Sequence, residues 1–515
     1  MAISQPLPQF TLPISSPVRE VYHHGWQSWS LAAWLPAGAA QPTPYPTLLQ
    51  PMQYHPHSAS MFGRIGHWLG AVRLQNGTII LLGGLGTDCT VEWTGTALVG
   101  RYHGTQRGGI RWFSMEAPET EAFTGYAKSF LAEMGAGFGT HTIIPPAQIP
   151  RAPLRLWCSW YSRYTHLSEN LLRQDLAGLA DMPFELFQID DGWQQGIGDW
   201  VENDRFPTGL GDLAMRITAS GRRAGLWLAP LIAADSSRLF REHPDWFVRD
   251  AAGKPISAGF NWGHPLHALD TTHPAAIEWL AAMLKRIEGL GFSYLKLDFL
   301  YAGALPGVRH LPLAGEEAYR YGLSQALAHL NPDTFILFCG APVLASVGLC
   351  HGMRIGPDVA STWESPRDAE LLFNPAIPGV RNALRTCSAR LWQAPFYRLD
   401  PDVAYFATAH HSLTPRQARQ LQDLCLATGI LATSDLPTWL GPTERAELAA
   451  FYQSEPDADP TQPPAYSLPA EDAAMSTPPR GLRRLLREIL GVIANQPATH
   501  RLLKWLDDRA HRSEK

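Results

Sequence analysis

The stretch Tyr294-Leu-Lys-Leu-Asp-Phe-Leu-Tyr-Ala-Gly-Ala304 decides the fold, because it is an apolar run that ends in charged residues and then in a glycine. The segment Gly352-Met-Arg-Ile-Gly-Pro-Asp358 has the same form. Buried parallel strands have this pattern where their carboxyl ends open onto a reaction site. Two such strand ends, each carrying a carboxylate, predict a barrel enzyme with a pair of acidic side chains in one pocket.

Strand and helix patterns alternate over residues 146–454, which is typical of a parallel barrel. The helical stretches between the strands include Ser168–Leu179, which begins with a serine and Glu169 in capping order. Eight strands with crossover helices predict a (β/α)8 TIM barrel. The predicted strands are Leu154–Trp160, Phe184–Asp190, Gly225–Pro230, Ser293–Phe299, Thr334–Gly340, Met353–Gly356, Leu391–Leu399 and Gly429–Thr433.

The flanking regions predict the rest of this α/β fold. Residues 1–145 carry short β-type runs broken by glycine-rich turns and no long helical periodicity, which predicts an antiparallel β-sandwich. Residues 455–480 are rich in proline and predict a linker. Residues 481–515 carry leucines and isoleucines at helical spacing, which predicts a helical tail packed on the barrel or on a second subunit. A membrane-bound or partner-bound helix is the alternative for this tail.

Composition excludes several classes of protein. Of the 515 residues, 45% are hydrophobic and 17% are charged, so a large core is available and global disorder is excluded. The net charge of −5 argues against nucleic acid as a partner. The six cysteines have no metal-site spacing, and there is neither a signal-peptide pattern nor an apolar run long enough to span a membrane. A cytoplasmic location is therefore expected, while the oligomeric state stays open.

The two strand ends predict the roles of their carboxylates. Lys296 and Asp298 are two residues apart on one strand, so both point to one face, and a cation there favours the charged form that a nucleophile needs. Asp358 follows Arg354 with the same parity and would act as the proton donor. A pair of this kind predicts a glycosidase. The structural alternative is that each aspartate only caps a turn or helix.

Three further pairs of polar residues carry less information about function. Asp190 and Asp191 end the second predicted strand, and Gly192 permits the turn that would bring both carboxylates into the pocket. Hydrogen bonding to sugar hydroxyls and simple capping both fit this pair. The histidine pairs His23-His24 and His410-His411 have no metal spacing with a carboxylate and are predicted to be surface or loop residues.

Several motifs in family order resemble the family 36 glycoside hydrolases, the α-galactosidases, in their compact bacterial form. The similarity covers roughly residues 150–440, and an N-terminal motif, Gly25-Trp-Gln-Ser-Trp29, is also similar to a motif of the family. The resembling segments are Trp157-Cys-Ser-Trp-Tyr161, Phe187-Gln-Ile-Asp-Asp191, Gly198-Asp-Trp200, Gly225-Leu-Trp-Leu-Ala-Pro230, His243-Pro-Asp-Trp246, Tyr294–Ala304 and Phe338-Cys-Gly-Ala-Pro342 through Asp358.

The resemblance implies retaining hydrolysis of terminal α-galactosyl residues from oligosaccharides by double displacement, without a metal or organic cofactor. Asp298 matches the nucleophile and Asp358 the acid/base. Asp190 and Asp191 match the pair that binds the galactose O4 and O6 hydroxyls. The remaining matches are residues near the other hydroxyls and the acid/base (Lys296, Cys339 and Arg354) and pocket-wall residues (Trp29, Trp160, Tyr161 and Trp227).

Two departures from the family leave alternatives open. The family usually ends in a β-sandwich, where this chain has a proline-rich segment and a predicted helix. The second strand continues as Gly192-Trp-Gln, a form that also occurs in raffinose synthases, so galactosyl transfer is an alternative to hydrolysis. A non-catalytic sugar-binding barrel would lack a catalytic carboxylate or Lys296, and neither is missing. The preferred galactoside (melibiose, raffinose or a polymer) stays open.

Overall fold

The N-terminal part of the chain forms two antiparallel sheets. A computed structural model describes residues 5–38, 50–56, 64–136, 141–364, 375–455 and 463–474. One sheet has the strand order β3-β2-β5-β6-β9, and the other has the order β1-β8-β7-β4. These strands are β1 (Gln9–Pro13), β2 (Val18–His24), β3 (Ala32–Pro36), β4 (Ile65–His67), β5 (Leu69–Leu74), β6 (Ile79–Gly84), β7 (Cys89–Trp93), β8 (Ala97–Tyr102) and β9 (Trp112–Ala117).

Two sequence predictions for this part are wrong. A short helix α1 (Gln50–Gln53) and an 18-residue helix α2 (Glu119–Ala136) occur where no long helix was expected. The apolar side chains of α2 lie on one face and pack against β6 and β9, so tertiary contacts stabilise it despite Gly125 within it. His23 and His24 are buried in β2 rather than exposed, because they lie at the end of the strand that meets the barrel.

Eight parallel strands form the barrel, which confirms the predicted fold class. Their order is β21-β20-β19-β18-β14-β11-β10-β22, and a parallel bridge between Ala404 and Thr433 closes the ring. Most of the strands are apolar and buried along their length, as expected where helices cover a parallel sheet. They are β10 (Leu154–Cys158), β11 (Leu186–Ile189), β14 (Arg223–Leu228), β18 (Phe292–Leu297), β19 (Phe335–Phe338), β20 (Gly352–Arg354), β21 (Arg398–Asp400) and β22 (Ile430–Thr433).

One of the eight predicted strands, Leu391–Leu399, begins too early. Its first residues form a 3-10 turn (Leu391–Gln393), and only Arg398 and Leu399 belong to the observed seventh strand, Arg398–Asp400. The other seven predictions overlap observed strands over most of the observed length. Short hairpin strands also leave the barrel after its second and third strands: β12 (Gln194–Gly196), β13 (Asp199–Glu202), β15 (Ile232–Ala234), β16 (Ser257–Asn261) and β17 (His264–Ala268).

Helices surround the barrel, and only the crossover from β19 to β20 lacks one. Ser168 caps α4 as predicted, since its side chain accepts a hydrogen bond from the Leu171 N–H. The helices are α3 (Trp160–Arg163), α4 (Glu169–Gly178), α5 (Leu210–Ala219), α6 (Arg238–Glu242), α7 (Pro274–Gly289), α8 (Gly315–Leu327), α9 (Val380–Ser388), α10 (Pro415–Thr428), α11 (Pro442–Gln453) and α12 (Ala470–Ala473).

The C-terminal segment that the structure describes packs on the barrel. Within the predicted linker, residues 463–474 contain α12, which contacts α9. Arg381 and Arg385 donate hydrogen bonds to backbone carbonyls of this segment. The predicted tail 481–515 lies outside the described residues, and the division into 1–145, 146–454, 455–480 and 481–515 stays a prediction. No helix in the described ranges is long and apolar enough to cross a membrane, and the six cysteines are unpaired and buried.

Arg390 joins the N-terminal part to the barrel. Its guanidinium is fully buried and donates hydrogen bonds to five backbone carbonyls. Four of them belong to the loop 25–30 and the fifth to Ile355, which follows β20, at distances of 2.6 Å (Ser28), 3.0 Å (Ile355), 3.1 Å (Gly25), 3.0 Å (Gln27) and 2.9 Å (Ser30). The planar, always charged guanidinium suits this task, because it presents five N–H donors in a fixed geometry.

Replacing Arg390 with methionine should lower the free energy of unfolding by about 3 kcal/mol or more, since buried carbonyls would lose their donors at about 1–3 kcal/mol each. Arg64→Met is the control, because the Arg64 side chain is 63% exposed and should change stability by less than about 0.5 kcal/mol. Urea unfolding followed by circular dichroism measures both. Equal stability of the two variants would contradict this role of Arg390.

Candidate active site

The carboxyl ends of the barrel strands bring together the acidic residues predicted from the sequence. Asp190 directly follows β11, Asp298 directly follows β18, and Asp358 lies four residues beyond the end of β20. Lys296 and Arg354 lie within β18 and β20 and are buried. The predicted wall residue Trp227 lies in β14 and is also buried. The predicted site residues therefore share one end of the barrel, as expected for a parallel barrel enzyme.

Asp298 is held in place by two N–H donors. The Trp227 indole donates to Oδ2 over 3.0 Å, and the backbone N–H of Phe299 donates to Oδ1 over 2.8 Å. Phe299 has a left-handed backbone conformation with φ of 55°, which is uncommon outside glycine and often marks functional sites. This turn directs the Phe299 N–H back to the carboxylate. Each oxygen keeps a further lone pair for another contact.

Lys296 pairs with the carboxylate of Asp190. Its ammonium group lies 3.0 Å from Asp190 Oδ2, and both side chains are buried. Burial and the charge of Arg354 disfavour the charge on Lys296, but the carboxylates of Asp190 and Asp298 outweigh them and raise the pKa of the lysine well above its usual value. Lys296 is therefore a fixed positive charge beside Asp190, on the strand that Asp298 follows. The Gln188 side chain also donates to Asp190, over 2.6 Å.

Asp191 enters the pocket because the chain turns directly after it. Gly192 has φ of 119°, and a Cβ there would come within 2.8 Å of the Thr165 backbone, so this position requires glycine. The Asp191 carboxylate accepts hydrogen bonds from Gln194 (2.6 Å) and from the Trp262 indole (2.7 Å). Burial raises the pKa of Asp191 to about 6. The Asp191 N–H also donates to Asp190 Oδ1 over 2.9 Å, so Asp190 takes part in the turn, and the binding of sugar hydroxyls by this pair stays a prediction.

Asp358 has different surroundings from Asp298. Arg354 Nη1 donates to its Oδ1 over 3.1 Å, and a third of its side chain is exposed. Burial raises the pKa of Asp358 to about 7, and the charge of Asp402 adds to this effect while Arg354 opposes it. The raised pKa favours the protonated form of this carboxyl. A protonated carboxyl near an ionised one is the requirement for acid-assisted glycosidic cleavage.

Trp29 reaches the site from the loop 25–30. Its ring packs edge-on against Phe299 at 5.0 Å, and Gly340 makes room for it, since a Cβ there would lie 2.8 Å from the indole. Hydrogen bonds between Ser28 and Ala341 fix the loop on the barrel. Among the described residues, none is a hydrogen-bond partner of the buried Trp29 indole nitrogen.

Three further predicted site residues, Tyr161, Trp160 and Cys339, lie at the same end of the barrel, after β10 and β19. Tyr161 is half-buried and donates a hydrogen bond to Asp402. Trp160 starts α3 and packs edge-on against Tyr164 at 5.2 Å. Cys339 follows β19 and is buried, and burial raises the pKa of its thiol well above the usual value, so the thiol is neutral. None of the described residues forms a cluster of His, Cys, Asp or Glu suited to a metal ion.

Sequence reasoning missed three polar residues of the site. Asp400 and Asp402 both contact Arg354, at 2.8 Å and 3.0 Å. Their signal was the run Arg398-Leu-Asp-Pro-Asp402, an acidic strand end that lies just beyond the predicted seventh strand. Trp262 lies after the hairpin strand β16, outside the barrel strands, and no sequence pattern connects it with Asp191.

Comparisons with known proteins agree with this geometry. Residues 119–326 match the family model described as melibiase. An α-galactosidase from Thermus thermophilus, solved with p-nitrophenyl α-D-galactopyranoside, is 42% identical, with a TM-score of 0.79 over 87% of this chain and 88% of that one. The family 36 α-galactosidase AgaA from Geobacillus stearothermophilus is 14% identical with a TM-score of 0.58, over 86% of this chain and 61% of that one, which shows a shared fold alone.

The match with a curated relative covers only part of that relative's length. Alpha-galactosidase 2 from Pediococcus pentosaceus is 26% identical over 367 residues, which are 62% of this chain and 50% of that protein. The chain thus spans about half the length of this relative. The identity with the Thermus protein extends over nearly all of both chains. This chain therefore belongs to the melibiase family, the α-galactosidases of glycoside hydrolase family 36.

Proposed function

We propose that this protein is a retaining α-galactosidase that hydrolyses terminal α-galactosyl residues from oligosaccharides. The observation that carries the proposal is the unequal pair of carboxylates: Asp298 is held by two N–H donors, whereas Asp358 has a pKa raised to about 7. A general acid has to be protonated, which the raised pKa of Asp358 favours, and a nucleophile has to be held in place, which the two N–H donors do for Asp298. The Thermus relative that was solved with an α-galactoside supports the choice of substrate.

The first step forms a galactosyl ester on Asp298. A carboxylate oxygen of Asp298 attacks C1 of the galactoside from the β face, and the bond between C1 and the leaving oxygen breaks. Asp358 gives its proton to that oxygen, so the leaving group departs as a neutral alcohol. The Trp227 and Phe299 N–H groups fix the orientation of the attacking carboxylate, which reduces the entropic cost of the step.

The second step releases galactose with the configuration of the substrate. Asp358, now a carboxylate, takes a proton from water while the water oxygen attacks C1 from the α face. The ester bond to Asp298 breaks, Asp298 regains its charge, and Asp358 is protonated again. All the solved and curated relatives described above are named α-galactosidases, which favours water over a sugar as the acceptor.

The proposal assigns substrate contacts to the remaining site residues. Asp190 and Asp191 accept hydrogen bonds from the O4 and O6 hydroxyls, because their oxygens keep free lone pairs beside the donors that fix them. Lys296, Cys339 and Arg354 lie near the other hydroxyls and the acid/base. The pocket wall consists of Trp29, Trp160, Tyr161 and Trp227, whose aromatic faces suit the apolar faces of a sugar ring.

The anomer of the galactosyl azide formed by each variant should show which step the missing carboxylate carries out. In Asp298→Ala, azide replaces the missing nucleophile and should convert p-nitrophenyl α-galactoside into β-galactosyl azide. In Asp358→Ala, azide attacks the galactosyl ester on Asp298 from the α face, so α-galactosyl azide should form. NMR of the products distinguishes the two anomers. The same anomer from both variants, or β-galactose as the first product of the unmodified enzyme, would contradict double displacement.

Trp29→Ala should raise KM for p-nitrophenyl α-galactoside about tenfold or more, which corresponds to about 1.4 kcal/mol of lost binding. Its melting temperature should change less than that of the control Trp93→Ala. Trp93 is buried to the same degree, 8% exposed against 9% for Trp29, but it lies in β7 within the N-terminal sheets. The control should lose stability with an unchanged KM. The opposite pattern would make Trp29 a core residue without a part in substrate binding.

A further inference from the structure

The geometry points to Asp402 as the residue that positions the acid/base Asp358 and keeps it competent to donate its proton. This inference rests on the proposed function, since it needs Asp358 to be the proton donor. Asp402 follows β21 and is almost completely buried, with 2% of its surface exposed. It does not have to touch the substrate for this role, so we call it a positioning residue.

Asp402 fixes the backbone, the arginine and the tyrosine that surround Asp358. Its Oδ2 accepts a hydrogen bond over 3.1 Å from the N–H of Val359, the residue directly after Asp358. Its Oδ1 lies 3.0 Å from Arg354 Nη2, while Nη1 of the same guanidinium donates to Asp358. The Tyr161 hydroxyl donates to Oδ2 as well. One carboxylate therefore sets the position of three neighbours of the proton donor.

The backbone at Asp402 is strained, which indicates that its side chain is needed there. Its φ is 83°, a region that favours glycine and strains other residues. The Asp402 N–H donates to Asp400 Oδ1 over 2.9 Å and so stabilises the turn after Pro401. A glycine would adopt this turn without strain but would supply no carboxylate to Val359, Arg354 or Tyr161.

The charges around Asp358 give Asp402 a second effect. Asp402 and Asp298 disfavour the ionised form of Asp358, whereas Arg354 and Lys296 favour it. Three other neighbours carry no charge, because burial raises their pKa values: Tyr161, Cys339 and Tyr405. Removing the charge of Asp402 should therefore lower the pKa of Asp358. Because activity requires the protonated acid, the basic limb of the pH profile should move to lower pH.

Asp400 provides a matched control. It is as buried as Asp402, 3% exposed, and accepts a hydrogen bond from Nε of the same arginine over 2.8 Å. It makes no described contact with Asp358 or Val359, and Asp402 is the charged neighbour with the largest effect on the pKa of Asp358. Asp400→Asn thus disturbs Arg354 to a similar degree without removing the contacts that the inference depends on.

The test compares two leaving groups, p-nitrophenol and the sugar of melibiose. Acid assistance matters little for p-nitrophenol and much for a sugar alcohol, where a general acid contributes about 10²–10⁴-fold. Asp402→Asn should lower kcat/KM for melibiose about 100-fold and for p-nitrophenyl α-galactoside less than about tenfold, with the basic limb moved to lower pH. Asp400→Asn should lower both values by a similar factor and move the limb less than Asp402→Asn does.

Two more variants are needed, one in case Asp402→Asn does not fold and one to test the proton donor itself. Asp402→Gly relieves the backbone strain, so it should fold even if Asp402→Asn does not, and it should show the same preference for the good leaving group. Equal losses on both substrates with an unmoved basic limb would overturn the role of Asp402. Asp358→Ala is the reference: if it too shows no dependence on the leaving group, the proposed proton donor itself is wrong.

Discussion

Arg354 faces three carboxylates, Asp358, Asp400 and Asp402, and the acidic half of the site depends on this imbalance. One guanidinium cannot neutralise three negative charges in a buried place, so the arrangement favours a proton on one of the carboxyls. Each carboxylate contacts a different nitrogen of the arginine, Asp400 at 2.8 Å, Asp402 at 3.0 Å and Asp358 at 3.1 Å, and only the Asp358 side chain, a third exposed, is not almost fully buried. Burial and the neighbouring carboxylates raise the pKa values of both Asp358 and Asp402, that of Asp358 to about 7.

Around Asp298, positive charge and hydrogen-bond donors surround the carboxylates. Lys296 pairs with Asp190, and the Trp227 and Phe299 N–H groups donate to Asp298. Asp298 and Asp358 follow β18 and β20, with β19 between them. The two side chains are chemically identical in the unfolded chain, so the different roles proposed for them come from their surroundings alone. The N-terminal part completes the surroundings of Asp298, because the loop that Arg390 fixes places Trp29 against Phe299.

The sequence predicted those parts of the molecule that a local pattern determines. Apolar runs located all eight barrel strands, with the seventh predicted to begin too early, and alternation along the chain placed Lys296 and Asp298 on one face. The seventh strand is only three residues long and has charged ends, Arg398 and Asp400, so the prediction begins in the neighbouring apolar run at Leu391. The site residues Asp402 and Trp262 act through a strained turn and a hairpin, which depend on tertiary contacts that no periodicity records. The helix α2 is stabilised by packing on β6 and β9 rather than by its own propensity.

The central claim is that the Asp298 carboxylate becomes bonded to the sugar. A 5-fluoro-α-galactosyl fluoride tests it directly, because the ring fluorine slows both steps while the fluoride leaving group still allows the first. The account predicts an inactive enzyme whose mass has increased by one fluorogalactosyl unit, with the label on Asp298 in the peptide map. Turnover without any adduct, or a label on Asp358, would contradict it.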